Sequence, residues 1–207
     1  EHVPNPPRPP PLPPTTSLLT FSVLPIYALF GKCEKFAYEA SLLETALSAT
    51  LDYSRCFRLC YPIVQFCRET ISCSMRRERP NIVHIACHGL ENGLGLYTDL
   101  GIELVNNSEI IQVFSRWCSP DAGPDAHLEF VLLNAGSSKA VGVDLVKVGV
   151  PYVVCWDEDV NEEACIVFAV NFYQCLREGP GLYGAAFIRA CQRLKEGAYA
   201  DQTPLLI

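Results

Sequence analysis

Short apolar runs alternate with amphipathic stretches along most of this chain. "LLTFSVL" (18–24), "NIVHIAC" (81–87), "LEFVLL" (128–133) and "VPYVVCW" (150–156) are apolar on both faces save for isolated polar residues. A strand of that kind needs cover on both faces, and the helices of a parallel sheet supply it. The stretches between them carry apolar residues at helical spacing: Ile110, Val113, Phe114 and Trp117; Cys165, Phe168, Ala169, Phe172 and Leu176; Tyr183, Ala186, Phe187, Ala190 and Leu194. The alternation predicts an α/β fold: a three-layer sandwich with a mostly parallel sheet of about five or six strands between helices.

In chain order, the pattern predicts a strand at Leu18–Leu24, a helix at Tyr38–Thr50 and a weak strand at Arg55–Tyr61. A helix over Pro62–Arg77 follows, with its proline in the first turn. Then come a strand at Asn81–Cys87 and a small hairpin over Gly93–Val105, turning near Asp99-Leu100-Gly101. Ser108 is placed to cap the next helix. A polar loop (119–127) leads to strand Leu128–Leu133 and its helix, then to strand Val150–Trp156 and the last two helices.

With 207 residues, 49% of them hydrophobic, the chain suits one domain and a tail. Residues 1–14, "EHVPNPPRPPPLPP", hold eight prolines and favour polyproline II. Residues 1–16 are therefore read as a disordered, proline-rich linker or tail, and 17–207 as the folded domain. Arg8, Pro11 and Pro14 also have the spacing of a ligand for proline-recognising domains; a stiff spacer is the plainer reading.

The net charge is −7, and the only basic cluster, Arg76-Arg77-Glu78-Arg79, reads as a helix end. Nucleic-acid binding lacks the basic stripe it requires. The eleven cysteines are odd in number and contain no Cys-x-x-Cys. Cys155, Cys165 and Cys191 lie in apolar stretches and behave as small hydrophobes, so a reducing, intracellular (cytoplasmic) compartment is expected. Cys56 and Cys60 have no nearby histidine, and no metal or other cofactor is expected. Leu18–Phe30 is broken by Pro25 and too short to span a bilayer, so no membrane partner is expected. No basic segment precedes it, and a start at Glu1 suits a piece of a longer protein.

In sheets of this class chemistry gathers at the carboxyl ends of the strands. That directs attention to "CHG" after Ala86, "NAGSS" after Leu133 and "WDED" after Cys155. His84 shares a strand face with Ile82 and Ala86 and reads as a buried, hydrogen-bonded core histidine. His88 falls where the strand ends, with Gly89 behind it. It is placed as a rim imidazole able to act as a general base, or else as a turn residue without a task. Cys87 points to the opposite face and reads as core. For "NAGSS", three readings stay open on spacing alone. A phosphate turn lacks the Walker and Gly-x-Gly-x-x-Gly patterns, and a serine nucleophile lacks Gly-x-Ser-x-Gly. The third is the nucleophile strand of a cysteine peptidase with its cysteine missing.

Taken in order, "NIVHIACHG" and "FVLLNAG" resemble the CHAT domain of the caspase-like (clan CD) cysteine peptidases. There a hydrophobic strand ends in His-Gly and a later one in Ala-Cys. "GLGLYTDLGIELV" is similar to the family's hairpin after the histidine. "VDLVKVGVPYVVCWDEDVNEEACIVFAVNFYQCLREG" and "LYGAAFIRACQRL" are similar to its later strand and helices, so the likeness runs over about residues 18–195. The resemblance implies the caspase-like fold, His88 as general base, and Gly89 beside the oxyanion site. It places Gly136 where the family has its cysteine nucleophile. Glycine carries no nucleophile, so covalent catalysis at that position is impossible. Ser137 and Ser138 read as N-caps rather than substitutes.

The resemblance also makes Trp156, Asp157 and Asp159 candidates for the substrate pocket, where acids favour a basic residue of a bound peptide. The plainer reading of the acids, Glu158, Glu162 and Glu163 included, is complementation of a helix dipole. The expected function is a catalytically inactive peptidase-fold module that binds a peptide or protein; the resemblance also implies an upstream repeat region of the same chain as a further partner. The rival is a CHAT-type cysteine endopeptidase whose cysteine is replaced at Gly136. A nucleotide-binding module is a third class, and no thermal shift with ATP or GTP is expected.

Overall fold

The computed structural model describes residues 19–27, 34–48, 55–64, 66–90, 92–98, 101–118 and 127–207. The proline-rich stretch with Arg8, Pro11 and Pro14, the turn residues Asp99 and Leu100, and loop residues 119–126 lie outside them.

The elements run β1 (Leu19–Tyr27), α1 (Glu34–Ser48), β2 (Arg55–Leu59), α2 (Arg68–Glu78), β3 (Ile82–Ala86), β4 (His88–Leu90), β5 (Gly93–Thr98) and β6 (Gly101–Asn106). They continue α3 (Asn107–Cys118), β7 (Phe130–Asn134), α4 (Lys139–Lys147), β8 (Tyr152–Trp156), α5 (Glu162–Glu178), α6 (Tyr183–Glu196) and β9 (Pro204–Leu206). The main sheet has six strands in the order β2-β1-β3-β7-β8-β9. All its pairs are parallel except β8–β9. A second, antiparallel sheet of three strands, β4-β5-β6, stands beside it. The α/β sandwich with a mostly parallel sheet is thus the architecture the alternation predicts.

Strand alternation divides the interior into two cores. Leu24, Ile26, Val83, Ile85, Val131 and Leu133 face Ile71, Met75, Phe114, Trp117 and Leu145 of α2, α3 and α4. Val23, Tyr27, Ile82, Ala86, Phe130 and Leu132 face Leu43 and Leu47 of α1 and the aromatic side of α5 and α6. Each face removes large aliphatic and aromatic side chains from water, at roughly 1.5–3 kcal/mol apiece.

Several local expectations are corrected. The helix after β2 begins at Arg68, and Pro62 is not in its first turn. Residues around Ile63 instead extend along β1: Ile63 N–H donates to Pro25 O (2.9 Å) and Tyr27 N–H to Ile63 O (2.8 Å). Ser108 does not cap α3. Asn106 does, since its Oδ1 accepts from Glu109 N–H (3.0 Å) while Glu109 Oε2 accepts from Asn106 N–H (3.2 Å). The terminal strand β9 has no forerunner in the periodicity, because "PLL" is too short to show one.

Candidate functional site

Register places the site. Ala86 pairs with Asn134 across β3 and β7, and Cys87 N–H continues the ladder to Asn134 O (3.4 Å). Both strands therefore end level, and the chain segments that follow them lie side by side. His88 starts β4 opposite Gly95, with its ring exposed at the rim. A Cβ on Gly89 would overlap the carbonyl oxygen of Gly136. The two backbones touch there, which only glycine at 89 permits.

A cleft of about 150 Å³ opens at these strand ends. His88, Gly89, Ala135, Gly136 and Asp159 line it, with Glu39 and Asn134 lower down. Glu39 comes from α1 and is 2% exposed; Asn134 is 4% exposed. Glu39 Oε1 accepts from Asn134 Nδ2 (2.6 Å) and lies 3.1 Å from His84 Nε2. His84 is fully buried, and its Nδ1 is 3.2 Å from the Tyr173 hydroxyl. Both ring nitrogens of His84 are thus engaged, Nε2 by the Glu39 carboxyl group and Nδ1 by the Tyr173 hydroxyl. The carboxylate also fixes the amide of Asn134, leaving Asn134 Oδ1 buried without a partner among the described residues.

Two thiols line the same cleft, Cys87 and Cys165. Burial, then the charge of Glu39, pushes both well above the ordinary thiol range. Neither is a ready thiolate. Cys87 is core, as strand alternation predicts.

The serines depart from expectation. Neither hydroxyl caps α4. Ser138 is buried, and its Oγ accepts from Trp156 N–H (3.1 Å) on β8. Ser137 sits in the left-handed region at φ 50°. Its N–H donates to Glu158 O (2.9 Å) and its Oγ to Asp159 Oδ1 (3.2 Å). It lines a neighbouring cleft, with Lys139 and Asp157, and not the one lined by His88.

The pocket candidates separate in the same way. Trp156 is 2% exposed and meets Phe168 edge-on at 5.8 Å, so its ring belongs to the core under α5. Asp157 is exposed and paired with Lys139 (2.7 Å). Of the three, Asp159 alone lines the cleft with His88. Glu162 and Glu163 open α5, where Asn161 Oδ1 caps Glu163 N–H (2.8 Å). Among the described residues no group of three metal-ligating side chains gathers, and no helix is long and apolar enough to cross a membrane.

Sequence reasoning missed Glu39 and Asn134. The signal for Glu39 was its place on a helix face otherwise made of Leu43, Ala46 and Leu47.

Among solved structures the chain resembles a secreted C11 cysteine protease from Bacteroides thetaiotaomicron ("iotapain"), with a TM-score of 0.62 at 14% identity. That match covers 90% of this chain and 65% of the other. The fold is caspase-like. A secreted C11 cysteine protease of the same organism, in complex with an irreversible peptide inhibitor, matches with a TM-score of 0.54 at 11% identity, over 87% of this chain and 59% of the other. The chain thus spans less than two thirds of either protease. No family model and no curated protein matches the sequence. At these identities the likeness is one of fold, and the caspase-like fold sets β3 and β7 at the centre of the sheet.

Proposed function

We propose that this chain is a CHAT-type domain in which Gly136 holds the place of the nucleophilic cysteine. It binds a peptide or protein segment in the cleft beside His88 and does not cleave it. The observation that carries this reading is at Gly136, which lies against the Gly89 backbone in the cleft lined by His88 and offers no side chain. A thiol mechanism needs a thiolate, a base and an oxyanion donor. His88 suits the base, and the Gly89 backbone lies beside the oxyanion position. The nucleophile is what is missing. Burial holds Cys87 and Cys165 protonated, and the Ser137 hydroxyl is engaged by Asp159 in the other cleft.

The acceptors in the cleft support a basic residue as the part of the ligand held there. Glu39, the unpartnered Asn134 Oδ1 and Asp159 offer lone pairs to an ammonium or guanidinium group. Retention in a reducing compartment belongs to the same proposal, supported by free thiols such as Cys60, Cys118 and Cys155 in the core.

The test is retention of a synthetic hexapeptide library on the immobilised chain, read by mass spectrometry. Retained peptides are expected to be rich in Arg or Lys, and His88→Ala to weaken retention. Retention without regard to sequence, or untouched by His88→Ala, contradicts the reading. The natural codon at 136 separates it from the endopeptidase alternative: glycine supports the binding module, and cysteine makes the natural protein the enzyme.

A further inference from the structure

Residues 157–160, in the segment between β8 and α5, run alongside the turn between β7 and α4 and are fastened to it at successive points. Just before it, Trp156 N–H donates to Ser138 Oγ (3.1 Å). Lys139 Nζ then donates to Asp157 Oδ2 (2.7 Å), and Ser137 N–H to Glu158 O (2.9 Å). Ser137 Oγ donates to Asp159 Oδ1 (3.2 Å). Above Gly136, the position a Cβ would take lies only 3.0 Å from Val160 N and 3.2 Å from Asp159 Cα. The segment is seated on the bare Cα of Gly136.

Its place relative to the cavities gives this fastening a consequence. The cleft of about 150 Å³ with His88 and Glu39 and a neighbouring one of about 830 Å³ with Leu90, Lys139 and Val143 share two border residues. These are Gly89 and Asp159. Asp159 borders both clefts, and it is held to Ser137 of the larger one. Ser137 is held in a left-handed conformation that a serine adopts at a cost, and its amide donor is occupied by its own chain.

We infer that residues 157–160 form a latch that Gly136 allows to close, dividing one binding groove in two, and that an extended peptide opens it. The peptide reading above supplies only the occupant; the latch is a property of the free chain. With the latch open, the clefts join into one groove. Ser137 N–H becomes a donor for a peptide carbonyl, in the manner of strand addition. Lys139, released from Asp157, becomes a second anchor.

The native thiol of Cys165 reports on the closed cleft, because it lines the cleft and is 5% exposed. Iodoacetamide labelling of Cys165 is followed by peptide mass spectrometry, with exposed Cys73 as the internal standard. Native chain, Gly136→Ala and Asp159→Ala are compared after thermal melting confirms that each is folded. Both variants are expected to label Cys165 about five-fold faster or more, the weight of one net hydrogen bond. Asp159→Ala is exposed, so it keeps the test alive if Gly136→Ala does not fold. Hydrogen exchange at the Ser137 amide is expected to be slow in the native chain and faster in Asp159→Ala. Unchanged Cys165 labelling in the folded variants, or a Ser137 amide that exchanges freely in the native chain, overturns the latch.

A ligand arm keeps the two readings apart. The peptide Gly-Ala-Arg-Ala-Gly is expected to bind Gly136→Ala about three-fold tighter or more than native, since the closed state no longer competes. Equal binding to both overturns the gating. Binding to neither overturns the peptide-binding reading, and the latch then stands or falls on the labelling alone.

Discussion

Strand β7 has two very different ends. At its start, the Phe130 ring stacks on Phe172 and on Tyr183, each at 4.9 Å between centroids. At its finish, Asn134 is bound to a buried carboxylate, and the next two residues are alanine and glycine. One end fills space with aromatic carbon. The other leaves space and lines it with acceptors. The difference shows where stability comes from and where it is given up, since a polar, underfilled strand end costs stability and makes room for a ligand.

The largest expected effect tests the aromatic end. Phe130→Ala should destabilise the fold by about 3–5 kcal/mol, read as a lower midpoint in urea unfolding. The folded fraction should still retain peptide, because Phe130 does not line the cleft. A midpoint shift below a third of that range would show that the stack matters less than its geometry says.

Next comes the polar end. Glu39→Ala leaves Asn134 Nδ2 and His84 Nε2 without their acceptor and should cost about 1–3 kcal/mol. Unlike Phe130→Ala, it should also abolish retention of Arg and Lys peptides by protein that is still folded. If both variants scale retention only with the folded fraction, the contrast between the two ends is lost.

A further effect, confined to alkaline pH, concerns the thiols beneath the sheet. Burial raises Cys60 and Cys118 to about 11 and Cys155 to about 12. The unfolded chain releases these protons from about pH 9, whereas the folded chain holds them. Stability should therefore be independent of these groups below pH 9 and fall as pH rises towards 11 and 12. Urea midpoints that stay level across that window contradict the assignment.

Much of this was legible in the sequence, for reasons visible in particular residues. The end of the apolar run in "NIVHIACHG" separates His84 in the core from His88 at the rim, because the strand's length and the glycine after it are local signals. Helix spacing gives the buried faces of α3, α5 and α6 in the same way. The unread features depend on distant partners. Ser138 stands at the N-cap, but its hydroxyl is taken by Trp156 N–H of β8, and Pro62 looks like a helix start until β1 supplies Pro25 O for Ile63. Glu39 and Asn134 are 95 residues apart, and no local pattern joins them. Ser137 belongs to the same group, since Glu158 and Asp159 hold it only once β7 and β8 are paired.

The central claim is that this site binds peptide and lacks only its nucleophile, and one assay bears on it most directly. Native chain, Gly136→Cys and the double variant Gly136→Cys/His88→Ala are incubated with the same hexapeptide library, and new termini are read by mass spectrometry. No cleavage by the native chain, cleavage by Gly136→Cys and its loss in the double variant is the predicted result. Cleavage by the native chain, or none by a folded Gly136→Cys that still retains peptide, would contradict it.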